Sequence, residues 1–217
     1  MSVAEYVFFN RVTNFYERMR SGKNPEKLDE IFYFLDEKSL VMTKRWLLDE
    51  RFPWTIGKGW SLLTQQPPLI AMTMDVESDR QQFVGNWVGE QTDTAPDGTT
   101  AIAHYESYGR LKTARYNFFI VAPNSDMVTA MYLITQRALA EGESPPLDEP
   151  HIVPYEKYGI NELSYSGGDV RPDQSFLPTA AFGRTLTVTC SYLHLWRGAS
   201  YGKFGFASSI ELGTVNT

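Results

Sequence analysis

In the segment Arg184-Thr185-Leu186-Thr187-Val188-Thr189-Cys190-Ser191-Tyr192, four residues, Leu186, Val188, Cys190 and Tyr192, fall on one side of an extended chain. Thr185, Thr187, Thr189 and Ser191 fall on the other, which is the period of two that marks a half-buried strand. The first side belongs to a core. The second carries small hydroxyls suited to water or to another polar protein surface, and it includes no histidine or carboxylate. The chain therefore builds a sheet around this strand, and the strand itself favours assembly over catalysis. Phe176-Leu177-Pro178 leads towards it.

Outward from this strand, 217 residues with 42% hydrophobic and 14% aromatic content are enough to bury a sizeable core in one elaborated domain. Residues 1–196 are expected to form that domain, with a helical part at 1–52 and a sheet-and-helix core at 69–196, and 197–217 to form a C-terminal arm. The net charge of −6 argues against wrapping nucleic acid, because a polyanion is held by clustered Lys and Arg. The one cysteine, Cys190, sits on the apolar side of its strand, which predicts a packed thiol in a reducing compartment. No basic leader with an apolar core begins the chain, and no window approaches about 18 apolar residues. A soluble, unsecreted protein without membrane contact is expected.

Phe8, Val12, Phe15, Tyr16 and Met19 share one stripe of a first helix, which Ser21 and Gly22 stop. Asn24 and Pro25 announce a second, with Leu28, Ile31, Phe32 and Leu35 inward, running on or breaking near Ser39 towards Leu48. Residues 52–68 read as an irregular connection holding Trp54 and Trp60. Leu69 to Asp75 alternates as a strand, Phe83 to Val88 is a candidate partner, and Gln91 to Thr100 reads as a turn or hairpin tip. Two strands are predicted at Ala101–Tyr108 and Thr113–Val121, joined around Gly109, the second covered on both sides. Ser125 or Asp126 caps a helix to about Ala140, with Met127, Met131, Ile134 and Ala138 inward and Gly142 as its stop. A proline-rich connection at 143–158, a short strand at Ile160–Tyr165 and the strand from Arg184 complete the folded part. Glycines then alternate with Tyr201, Phe204, Phe206 and Ile210. The fold class is α+β: a mostly antiparallel sheet with helices packed on one face, extended loops and a C-terminal arm.

Catalytic chemistry finds little to rest on. His104, His151 and His194 lie far apart without local metal-ligand pairs, and the first and last read as hydrogen-bonded strand residues. No nucleophile elbow, Walker loop or dinucleotide fingerprint occurs. The acidic pairs Glu141 with Glu143 and Asp148 with Glu149 read as a solvated face in a proline-rich loop. Cys190 and His194, four residues apart on a strand, stand roughly 13 Å from each other, so they form no dyad. Catalytic, cofactor and metal sites are therefore expected to be none.

The order of elements, with helices first, Pro67-Pro68-Leu69-Ile70 entering a strand, a hairpin, the strand-to-helix passage from Tyr116 to Leu139, then Phe176-Leu177-Pro178 and a closing strand, resembles the tail terminator, or tail-completion, proteins of tailed bacteriophages. The resemblance spans Leu69 to Trp196. It implies a ring, a hexamer in that family, that closes the tail tube and possibly the sheath, joins them to neck or connector proteins, and lets DNA through its lumen without specific binding. It also implies a place in the virion at the tail-to-neck junction, after assembly in the host cytoplasm. Aromatic and arginine residues carry most interface energy when desolvated. The expected interface residues are accordingly Trp54 and Trp60, Arg110 and Arg115, and Tyr201, Phe204 and Phe206 in the arm. Two alternatives stand beside this reading: another neck or head–tail connector ring, and a small-molecule hydrolase with a pocket near His104, Tyr105 and Glu106.

Overall fold

The computed structural model describes residues 2–21, 26–49, 54–59, 67–80, 87–94, 101–146, 152–173 and 181–201. The chain divides into two compact units, Met1–Ser78 with Thr113–Tyr192, and Asp79–Lys112 with Leu193–Thr217. The boundaries fall within three strands, Leu69–Asp79, Ala101–Ala122 and Ala181–Tyr201.

In the first unit, α1 (Val3–Arg20) begins at Ser2, whose hydroxyl accepts the Glu5 amide at 3.0 Å and supplies a partner for a helix-end donor. Its inward stripe is Phe8, Val12, Phe15, Tyr16 and Met19, as the spacing predicts. α2 (Glu26–Ile31) is shorter than expected. The chain turns at residues 32–35 and restarts as α3 (Glu37–Leu47), because Asp36 takes both the amide and the hydroxyl of Ser39. Ser39 thus completes a cap where the sequence reading placed a break. α4 (Ser125–Ala140) is capped one residue earlier than predicted, by the Asn124 side chain accepting the Met127 amide at 2.9 Å.

The strands are β1 (Thr55–Lys58), β2 (Leu69–Asp79), β3 (Trp87–Thr94), β4 (Ala101–Ala122), β5 (Ile160–Gly167), β6 (Arg171–Asp173) and β7 (Ala181–Tyr201). In the first unit the order is β1-β2-β4-β7-β5, with β6 also on β7. β1 runs parallel to β2, whereas β5 and β6 run antiparallel to β7. In the second unit β3 pairs antiparallel with the first half of β4. Several expectations are corrected here. The two strands predicted around Gly109 are one continuous strand, β4, because Gly109 keeps extended backbone. Residues 91–94, read as a turn, belong to β3, and β1 lies within the connection read as irregular.

Alternate residues of β2, β4 and β7 face the helices. Ile70, Met72, Tyr116, Phe118, Ile120, Leu186, Val188, Cys190 and Tyr192 join Phe8, Phe15, Met131 and Ile134 in one continuous core. Phe8 meets Tyr116 and Tyr155 edge-on at 5.5 and 5.3 Å, a geometry aromatic rings prefer. The fold is α+β, as the sequence reading held. Gly142 does not end α4 by a left-handed turn. A side chain there would meet the Tyr155 ring at 2.1 Å, so the position needs glycine for close approach. Tyr155 donates its hydroxyl to the Leu139 carbonyl at 2.8 Å and its amide to that of Gly142 at 2.9 Å, closing the helix end.

Candidate functional site

The open face of the sheet carries residues of opposite parity to the core, and their side chains bind one another across strands. Arg115 of β4 reaches Asp75 of β2 at 2.7 Å. The Thr187 hydroxyl of β7 donates to Asn117 Oδ1 of β4 at 2.8 Å. Ser191 of β7 donates to Glu162 of β5 at 2.5 Å. Glu162 sits at a register shift of β5 with φ of 52°, and that bulge turns its carboxylate towards Ser191. At one end the same face becomes apolar, where Leu69, Ala71, Val121 and Ala181 are buried with Phe119 against them. These polar groups are paired across strands, whereas Thr73 Oγ1 of β2, on the same face, is buried with no hydrogen-bond partner among the described residues, and β5 terminates the strand order.

Of the residues expected at an interface, Trp54, Arg110, Arg115 and Tyr201 are among the described residues. Arg115 lies on this open face and is 48% exposed, within its pair to Asp75. Arg110, in the second unit, pairs with Asp79 at 2.8 Å and is 49% exposed. Trp54 lies on the helical side, half-buried, with its ring stacked on Trp46 at 5.7 Å and edge-on to Tyr16 at 4.8 Å. Tyr201 is placed only as the last residue of β7. Trp60, Phe204 and Phe206 lie outside the described residues.

One functional-looking group was misread in the sequence. Glu141, taken as solvated, is buried at the end of α4, with its carboxylate 2.8 Å from Arg18 of α1 and 2.9 Å from Lys27 of α2. One buried anion thus ties three helices. Its partners lie more than a hundred positions away, so no local spacing signals them, whereas Glu143 is exposed as expected. Cys190 is a core thiol, 1% exposed, and burial pushes its pKa up to about 12, which keeps it protonated and unreactive. His104 and Glu106 are placed by register alone, opposite Thr92 and Glu90. His151, Asp148 and Glu149 lie outside the described residues.

A groove of about 550 Å³ runs along α1, between Tyr6, Asn10, Asn14 and Glu17 on the helix and Ile152, Val153 and Tyr158 opposite. Arg11 at its edge is engaged, donating to the Val153 carbonyl at 2.6 Å and lying 5.6 Å from the centre of the Tyr155 ring. Its polar lining is mixed, Asn10 and Asn14 with Glu17, Arg11, Arg18 and Ser21; Arg18 is engaged by Glu141, and the Ser21 hydroxyl donates to the Arg18 carbonyl at 2.9 Å. Among the described residues, no group of three His, Cys, Asp or Glu is placed to hold a metal ion. Among the described residues, no helix is long and apolar enough to cross a membrane. No known family model matches the chain, and no curated protein matches it in sequence.

Proposed function

We propose that this chain is a structural assembly protein, a ring-forming terminator of a bacteriophage tail tube that joins the tube to the neck. The observation that carries the proposal is the open face of the sheet. Its polar side chains are held by one another across β2, β4, β7 and β5 through Asp75–Arg115, Asn117–Thr187 and Glu162–Ser191. Groups already oriented in this way lose little freedom when a second protein surface covers them. The terminal strand β5, with Ser164 and Ser166 exposed, gives a neighbour a sheet edge to extend. The α+β layout is the one the family resemblance implies, and the net charge of −6 suits a lumen that DNA passes without sticking.

Ring closure is stoichiometric: each subunit presents one surface to the next until the rotation closes. A neck or connector ring would use the same surfaces with a different partner. The test is the mass of the purified chain in solution, alone and mixed with tail-tube protein, with negative-stain images of the large species. Rings of about six copies seated on tube ends are expected, closed rings being the outcome of a head-to-tail contact whose rotation closes and six the copy number the resemblance implies. Rings that ignore tubes would move the reading to a neck component, and a monomer that neither assembles nor binds tubes would overturn it.

A further inference from the structure

α3 presents a second surface with its own pattern. Leu47 is buried, and Leu40 and Trp46 pack on the core. The opposite stripe is Glu37, Lys38, Val41, Met42 and Arg45, residues one helical face apart and all exposed. Val41 is 59% and Met42 62% exposed, and the turn before the helix adds Tyr33 at 83% and Phe34 at 57%. Tyr33 and Phe34 stand edge-on at 5.8 Å, and Phe34 stands edge-on to the buried Phe32 at 6.4 Å, so the exposed rings are braced from the core. Four large apolar side chains on one short helical hairpin form a concentration of the kind that marks a contact site.

The charges name the occupant. Glu37 and Arg45 flank Val41 symmetrically along the helix, acid on the N-terminal side and base on the C-terminal side. Neither has an ion pair among the described residues, while the neighbouring Lys44 is already paired with Asp29. We propose that this stripe pairs with the same stripe of a second copy, with the two α3 helices antiparallel about a twofold axis near Val41. Glu37 then faces Arg45 of the partner subunit twice over, and the helix dipoles oppose each other favourably. Lys38 comes to face the partner's Lys44, whose charge its own Asp29 offsets. A parallel pairing would instead set Glu37 against Glu37 and Arg45 against Arg45, which is unfavourable. Self-complementary order of this kind is what an isologous contact requires.

The contact goes beyond the ring reading and does not depend on it. A ring closes by head-to-tail surfaces, whereas a twofold contact joins two subunits or two rings. One helix of 11 residues with two flanking rings falls at the small end of specific interfaces, under roughly 1,200 Å² in total, so the association is weak and concentration-dependent.

Sedimentation equilibrium of the full chain, from low to high micromolar concentration, tests it with three charge variants. Glu37→Arg and Arg45→Glu each turn two attractive pairs into repulsive ones and are expected to weaken the twofold association about tenfold. The double variant Glu37→Arg with Arg45→Glu restores opposite charges across the axis and is expected to return within about threefold of the original affinity. Val41→Asp is expected to abolish the association, and thermal melts confirm that each variant stays folded. Absence of concentration-dependent association, single variants without effect, or a double variant as weak as the singles would each overturn the proposal. Tube attachment and ring images report separately on the terminator reading.

Discussion

The helix-covered face and the open face of the sheet are made from alternate residues of the same strands and are held by different forces. On the covered face Tyr116, Phe118, Ile120, Leu186 and Val188 are at most 1% exposed and interlock with α1 and α4. There, burial at roughly 25 cal/mol per Å² of apolar surface dominates. On the open face Arg115, Asn117, Thr187 and Ser191 bind side chain to side chain, and each such contact contributes on the order of 1 kcal/mol or less. A face that carries the stability leaves the other at liberty to carry contact.

Alkali strikes the covered face hardest. Burial raises Cys190 from 9.0 to about 12 and Tyr192 from 10.0 to about 12, and lifts Tyr16, Tyr116 and Tyr155 above the ordinary phenol range. Each folded value exceeds its unfolded one, so this stability is complete below the ordinary values and is lost as pH climbs from 9.0 towards 12. The share of tyrosinate absorbance that belongs to these buried tyrosines is expected to rise together with loss of near-ultraviolet dichroism in one cooperative transition. Ionisation of the buried tyrosines while the fold persists would break the contrast between the faces.

Phe8→Ala, which empties a fully buried site against Tyr116 and Tyr155, is expected to cost about 3–5 kcal/mol in denaturant unfolding. Glu141→Gln comes next. It removes the anion shared by Arg18 and Lys27, and because those cations are 21% and 13% exposed and can turn to water, the cost is about 2–3 kcal/mol. A loss under about 1 kcal/mol would mean that apolar contact alone holds the three helices together. Thr187→Val on the open face is expected to have the smallest effect on the subunit, about 1 kcal/mol or less, since Asn117 can turn to solvent. Its larger effect should appear in the yield of assembled rings. A variant that unfolds the subunit as severely as Phe8→Ala would show the open face to be part of the core.

Local rules were legible where neighbours in sequence do the physical work. The alternation at Leu186–Tyr192, the stripe of α1, the inward residues of α4 and the packed Cys190 follow from periods of 2 and 3.6, and with them came the α+β class. The α4 cap was legible to within a residue or two, with Asn124 in the role assigned to Ser125 or Asp126, whereas the break expected near Ser39 is the start of α3, capped by Asp36. The candidate surfaces were less legible. Arg115 stands on the open face as an exposed pair, and Trp54 lies half-buried beside Trp46 and Tyr16, neighbours that an aromatic in a connection does not announce. The continuity of β4 through Gly109 depends on cross-strand pairing that outweighs the local preference of glycine to turn. The sequence by itself determined the periodicities, the caps and the charge order of α3, since each is written within a few residues. The tertiary structure alone decided that Glu141 is buried between Arg18 and Lys27, that Gly142 makes room for Tyr155, and that Asp75, Asn117, Thr187 and Glu162 meet across one face. These contacts join residues far apart in the chain, and only the packing of helices on the sheet brings them within reach.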